Sequence, residues 1–142
     1  MASKSATYCQ IIITNPAEDA SQQWMRRAGH NGGRTLSKRI AINGFGRIGR
    51  LAMRAAQNTT GVDVVHVNEV AGDAEAAAHL LEFDSIHGRW EVPVRSAGDA
   101  MIVGGNKVSY TSNRRLEDTR WQELGIDIVL DCTGKFKTRE AL

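Results

Sequence analysis

Long apolar runs are missing from this 142-residue chain, so no stretch of it has the length of a membrane-spanning helix. The start also lacks the basic-then-apolar pattern of a secretory signal. Cysteine and proline are scarce, at two residues each. Cys9 and Cys132 are far apart and have neither a C-x-x-C partner nor metal-ligand spacing, which argues against a zinc site or a redox pair and for reduced thiols in a cytoplasm. A dominant charge is missing too. The formal net charge is +2, and the excess lies within residues 1–37, leaving the main body balanced and without a basic footprint for nucleic acid. A composition of 42% hydrophobic and 24% charged residues is that of a globular chain able to bury a core. The expectation is a cytoplasmic protein with no membrane and no nucleic-acid partner.

Glycine is what the chain has in quantity, and three of its fourteen glycines fall where spacing matters. Ile40-Ala41-Ile42 is a short apolar run with charge before it and glycine after it, as befits a buried parallel strand. From Ile48 the apolar residues recur at Leu51, Ala52, Ala55 and Ala56, a spacing of three and four that predicts a helix with one apolar face. Gly44, Gly46 and Gly49 therefore occupy a strand-to-helix turn and match G-x-G-x-x-G. In a dinucleotide site the first glycine allows the tight turn, the second lets a pyrophosphate approach the backbone, and the third lets helix and strand pack closely. Free N–H groups at the helix start, reinforced by the helix dipole, favour the phosphates. A second β-branched run over residues 62–68 leads to Glu69, twenty residues past Gly49, where a carboxylate is expected to accept from the adenosine ribose hydroxyls. Strand, glycines, helix, strand and acid in this order predict a dinucleotide site; a purely structural glycine turn is the alternative.

Around this unit the chain reads as follows. Residues 1–37 form an amino-terminal extension with a short strand at Ile11-Ile12-Ile13-Thr14. A helix start follows at Asn15-Pro16-Ala17-Glu18, and Gly29 leads into a flexible exit. The arginines there suggest organelle targeting, which Glu18 and Asp19 oppose. Asp73 is expected to cap a helix running to Glu82, with Ala77, Leu80 and Leu81 as its apolar side. His87, before a glycine, is either catalytic or a turn histidine bonding to backbone. Residues 91–111 alternate and turn at Gly104-Gly105-Asn106, which predicts a small antiparallel insertion. Residues 117–124 read as a short helix stopped by Gly125, and residues 126–132 as another strand whose end, Thr133-Gly134, lines a cofactor crevice. Cys132 is either a nucleophile lacking an identifiable base or a small residue buried at a strand end. Thr138 can cap a further helix over residues 139–142. The fold expected is α/β, a Rossmann-type doubly wound, mostly parallel sheet with a small antiparallel insertion, incomplete over residues 38–142.

Residues 38–142 resemble the amino-terminal NAD-binding part of the glyceraldehyde-3-phosphate dehydrogenase family. The resemblance is carried by the run from Ile40 to Arg50, by Asn68-Glu69, by the run from His79 to Gly88, and by Asp131-Cys132-Thr133-Gly134-Lys135-Phe136. It implies that Phe45, Gly46, Arg47 and Ile48 hold the pyrophosphate and that Glu69 takes the place of the ribose-binding acid. It also implies that Arg114 lies near the adenine and that Thr133, Gly134 and Phe136 flank the cofactor. The implied cofactor is NAD. The implied reaction turns a sugar-phosphate aldehyde and phosphate into an acyl phosphate, in a homotetramer, using a cysteine and a histidine that lie beyond residue 142. On that footing the fragment itself is inactive, and an NAD-binding module without chemistry is the alternative. Two features depart from the family pattern. Glu69 stands where most members have aspartate, and Asn68-Glu69-Val70-Ala71 with Trp121-Gln122-Glu123-Leu124-Gly125 also resembles erythrose-4-phosphate dehydrogenase; residues 1–37 have no counterpart. A carboxylate at position 69 repels the extra phosphate of NADP, so NAD is the expected choice.

Overall fold

The computed structural model describes residues 10–13 and 37–136. The described elements are β1 (Gln10–Ile13), β2 (Lys38–Asn43), α1 (Arg47–Gln57), β3 (Val62–Asn68), α2 (Ala74–Glu82), β4 (Phe83–Asp84), β5 (Gly88–Arg89), β6 (Val94–Ser96), β7 (Ala100–Val103), β8 (Asn106–Thr111) and β9 (Ile128–Asp131). One seven-stranded sheet has the order β1-β9-β2-β3-β8-β7-β6, and β4 with β5 makes a separate hairpin. β9, β2, β3 and β8 are parallel, while β1 at one edge and β7 and β6 at the other run antiparallel to their neighbours. The antiparallel hairpins expected over residues 91–111 are therefore continuous with the main sheet, because β8 pairs with β7 on one side and with β3 on the other. The helix starts read at Asn15 and Thr138 lie outside the described residues.

Both helices pack into one core. Met53 of α1 and Ala77, Ala78 and Leu81 of α2 meet Ile40, Ile42, Val64, Val67, Met101, Val103 and Val108 from the sheet. The buried side of α1 is centred on Gly49 and Met53, so Ala55, expected inside, is exposed. In α2 the Asp73 carboxylate accepts from the Ala76 amide at 2.8 Å, as a cap does, and Ala74, Ala77, Ala78 and Leu81 turn inward. Leu80 is 47% exposed, contrary to its place on the expected face. Nine residues are too few for the 3.6 period to fix which of two adjacent leucines faces the sheet. Arg54 ties the helices together: its guanidinium donates to the Leu81 carbonyl at 2.7 Å and lies over the Trp90 ring.

The opposite face carries a smaller cluster of Ala41, Ile126 and Val129, covered by Trp121 and Leu124. The helix expected over residues 117–124 is reduced to a single 3₁₀ turn, Leu116–Asp118, followed by turns up to Gly125. Asn113 holds this stretch open by donating to the Thr119 hydroxyl at 3.0 Å, and the Trp121 indole donates to the Leu116 carbonyl. A bulge in the β2–β3 ladder, where Ile40 pairs with Val64 and Ala41 with His66, leaves Val65 as the extra residue. Val64 and Val67 both reach the helix side, and Val65 joins the smaller cluster.

Candidate functional site

The carboxyl ends of all four parallel strands open on one crevice. Its lining includes Gly44 and Gly46 after β2, Glu69 after β3, Arg114 after β8, and Thr133 and Phe136 after β9. From β2 the chain winds outward to β3 and then β8 before returning to β9 on β2's other side, so the crevice lies where the winding direction reverses. Doubly wound sheets bind their ligands at that point.

The glycines are explained by what surrounds them. Gly44 turns at φ +87°, and a Cβ there would lie 2.8 Å from the Thr133 backbone nitrogen, so β2 and β9 can end side by side only with glycine. At Gly49 a Cβ would come within 2.2 Å of the Gly44 carbonyl oxygen. Gly46 differs: a Cβ there would have nothing within 4 Å, and the residue lines the crevice and is the one from which α1 starts. That helix start has no side-chain cap and no acid in its first turn. An uncapped, acid-free helix start facing a crevice is suited to an anion, and it fits the pyrophosphate of a dinucleotide.

Glu69 faces this turn. One carboxylate oxygen accepts from the Phe45 amide at 2.6 Å and the other from the Ala71 amide at 2.8 Å. Lone pairs remain on both oxygens for hydroxyl donors in the crevice. Beneath the loop, the Tyr110 hydroxyl donates toward the Glu69 and Gly72 carbonyls at 3.3 and 3.4 Å. Burial, with the nearby Glu69 and Asp73 carboxylates, pushes its pKa up to about 12, so it stays a donor.

The floor is a row of buried polar side chains. Thr111 Oγ1 donates to Asn68 Oδ1, Asn68 Nδ2 to Asn43 Oδ1, and Asn43 Nδ2 to Asp131 Oδ1, each at 2.8 Å. Asn68 also accepts from the Asn113 amide and donates to the Asn113 carbonyl, and the Thr133 hydroxyl donates to Asp131 at 3.0 Å. The series from Thr111 through Asn68 and Asn43 runs toward the Asp131 carboxylate; it crosses all four parallel strands and fixes the orientation of both side-chain amides. His66 stands at the other end, with Nε2 3.0 Å from Thr111 Oγ1 and Nδ1 2.7 Å from Ser109 Oγ. Thr111 spends its proton on Asn68, and Ser109 Oγ also reaches the Val65 carbonyl at 3.2 Å, so the His66 ring is held between two hydroxyls that are themselves tied into the sheet.

A family profile described as "Glyceraldehyde 3-phosphate dehydrogenase, NAD binding domain" matches residues 38–139. The chain belongs to the glyceraldehyde-3-phosphate dehydrogenase family. NAD is the cofactor of the matched domain. Glyceraldehyde-3-phosphate dehydrogenase 3 of Nostoc sp. is 47% identical over 107 residues, which is 75% of this chain and 32% of that protein. Glyceraldehyde-3-phosphate dehydrogenase 1 of Giardia intestinalis is 42% identical over 102 residues, or 72% of this chain and 30% of that protein. The chain thus spans about a third of the length of these curated relatives.

Within this family domain, the residues expected at the cofactor divide into two groups. Gly44, Gly46, Glu69, Arg114, Thr133 and Phe136 line the crevice. Phe45 is buried in the main core with only its amide turned to Glu69, Ile48 packs against that core, and Gly49 is buried against Gly44. Arg47 and Gly134 are exposed and do not line the crevice. Asn43, Asn68 and Asp131 stand among the residues that carry the family resemblance, but sequence alone assigns them no role in the site. Their signal is a polar residue closing an apolar strand, repeated at β2, β3 and β9. His87 is a turn residue, but its ring bonds to the Asp84 carboxylate at 3.0 Å rather than to backbone. Cys132 is buried and lines the crevice.

Proposed function

We propose that residues 38–136 form a dinucleotide-binding unit that holds NAD for a phosphorylating aldehyde dehydrogenase, with glyceraldehyde 3-phosphate the preferred substrate of the complete enzyme. Erythrose 4-phosphate is the second reading, on the wording around Glu69 and Trp121. The observation that carries the proposal is the start of α1, which has no side-chain cap and opens at Gly46 on a crevice that Glu69 also lines. The amides after Gly46 would take the pyrophosphate, Glu69 would accept from the adenosine ribose hydroxyls, Arg114 would border the adenine, and Thr133 and Phe136 would flank the cofactor. Bound NAD supplies a hydride acceptor. This chain's residues bind it, orient it and keep the Glu69 carboxylate aimed through the Phe45 and Ala71 amides.

Titration calorimetry with NAD, NADP and ADP-ribose tests the reading. NAD and ADP-ribose should bind, and NADP should bind at least about tenfold more weakly, since its phosphate meets the Glu69 carboxylate. Glu69→Gln should narrow that gap. Equal affinity of the unaltered chain for NAD and NADP would remove the role assigned to Glu69.

A further inference from the structure

The outer edge of β9 is filled by a segment from outside the family match. β1 pairs antiparallel with β9 in the register Gln10 to Asp131, Ile11 to Leu130, Ile12 to Val129 and Ile13 to Ile128. The parallel strands β8, β3, β2 and β9 correspond to positions 3-2-1-4 of the doubly wound order 3-2-1-4-5-6. The place outside β9 is therefore that of a fifth strand, which would run parallel to it. β1 is seated there in the opposite direction. Its side chains alternate as an edge strand's should: Ile12 packs against the cluster of Ala41, Ile126 and Val129, while Ile11 is 66% exposed. At its first residue, the Gln10 side-chain amide donates to the Phe136 carbonyl at 3.0 Å, and Phe136 lines the crevice.

We propose that β1 is a surrogate fifth strand: it closes the β9 edge and braces the Thr133-to-Phe136 wall of the dinucleotide crevice. β9 has a single outer row of N–H and C=O groups, so β1 and any parallel strand added at that edge exclude one another. An open edge would offer those groups to other chains, and β1 prevents this. The part of the inference that concerns the crevice rests on the NAD-binding reading above; the strand pairing does not.

Amide hydrogen exchange on the full chain, together with NAD titration, tests both parts. Ile12→Asp should raise exchange at residues 128–131 by about tenfold or more while Ile42 and Val67 keep their protection, and it should weaken NAD binding. Gln10→Ala should leave β9 protected, speed exchange at residues 134–136, and weaken NAD binding roughly two- to tenfold, as loss of one hydrogen bond does. Should Ile12→Asp also cost protection at Ile42 and Val67, Ile12→Ala decides by the same comparison. Unchanged exchange at residues 128–131 in the Ile12 variant overturns the surrogate strand. Unchanged exchange at residues 134–136 in Gln10→Ala overturns the brace. If the unaltered chain binds no NAD, the functional reading fails, and these exchange rates alone decide the role of β1.

Discussion

Gly46 and Gly49 lie three residues apart and are predicted to fail differently when a methyl group is added. Alanine at 49 sets its Cβ against the Gly44 carbonyl oxygen, a backbone atom that cannot rotate away. Gly49→Ala should therefore destabilise the fold by about 1–3 kcal/mol, read as a lower denaturation midpoint. Gly46 has φ −66°, which alanine adopts freely, and open space around it. Gly46→Ala should change stability by no more than about 0.5 kcal/mol. It should nonetheless weaken NAD binding by about tenfold or more, because its methyl occupies the space a phosphate needs. A Gly46→Ala protein that binds NAD as well as the parent would show that the phosphates lie elsewhere. At this scale the sequence was most legible: the G-x-G-x-x-G spacing and the acid after the next strand located one wall of the crevice. It could not show that Phe45 turns into the core while its amide bonds to Glu69, since backbone and side chain of one residue serve different layers.

β3 shows how an element decides what its residues do. The bulge at Val65 leaves His66 buried, 1% exposed, between Ser109 and Thr111 and edge-on to Trp121. Burial lowers its pKa from 6.5 to about 4. The neutral ring's contribution is thus present above pH 6.5 and is lost as pH falls toward 4. Denaturant titrations should show a stability loss of roughly 1–2 kcal/mol between pH 7 and pH 5, and His66→Gln should flatten that slope. Asp84 acts in a different window. The His87 and Ile86 amides hold its carboxyl well below the usual range, so its contribution is lost only below about 3.8. The sequence placed the strand but not the histidine's environment, because one extra residue in a ladder shifts every later side chain to the other face. Leu80 and Ala55 were misplaced for a related reason. Short helices leave the exact inward direction to the partner they pack on, here a sheet already filled by Met53 and Leu81.

For the molecule as a whole, the described residues build a place for a cofactor without a catalytic pair beside it. Among the described residues lining the crevice there is no histidine; His87 is bonded to Asp84, and His66 is buried between Ser109 and Thr111. Mixing this chain with NAD, phosphate and glyceraldehyde 3-phosphate should therefore give no rise in NADH absorbance, even at concentrations where NAD binds. A steady rate would overturn the assignment of this unit to cofactor binding alone. Among the described residues, no helix is long and apolar enough to cross a membrane, in keeping with the missing apolar runs.

By itself the sequence determined the α/β plan, the strand-to-helix turn and the class of ligand, because periodicity, glycine spacing and a carboxylate at the right distance are local facts. Only the tertiary structure decided what depends on residues far apart in the chain. Asn43, Asn68 and Asp131 form one row because three strand ends lie side by side. The strand at residues 10–13 finds its partner because the outer edge of β9 lies where it can pair antiparallel to it. Hydrogen bonds across a sheet join residues that sequence order keeps apart, and their pairing is settled only when the strands are in register.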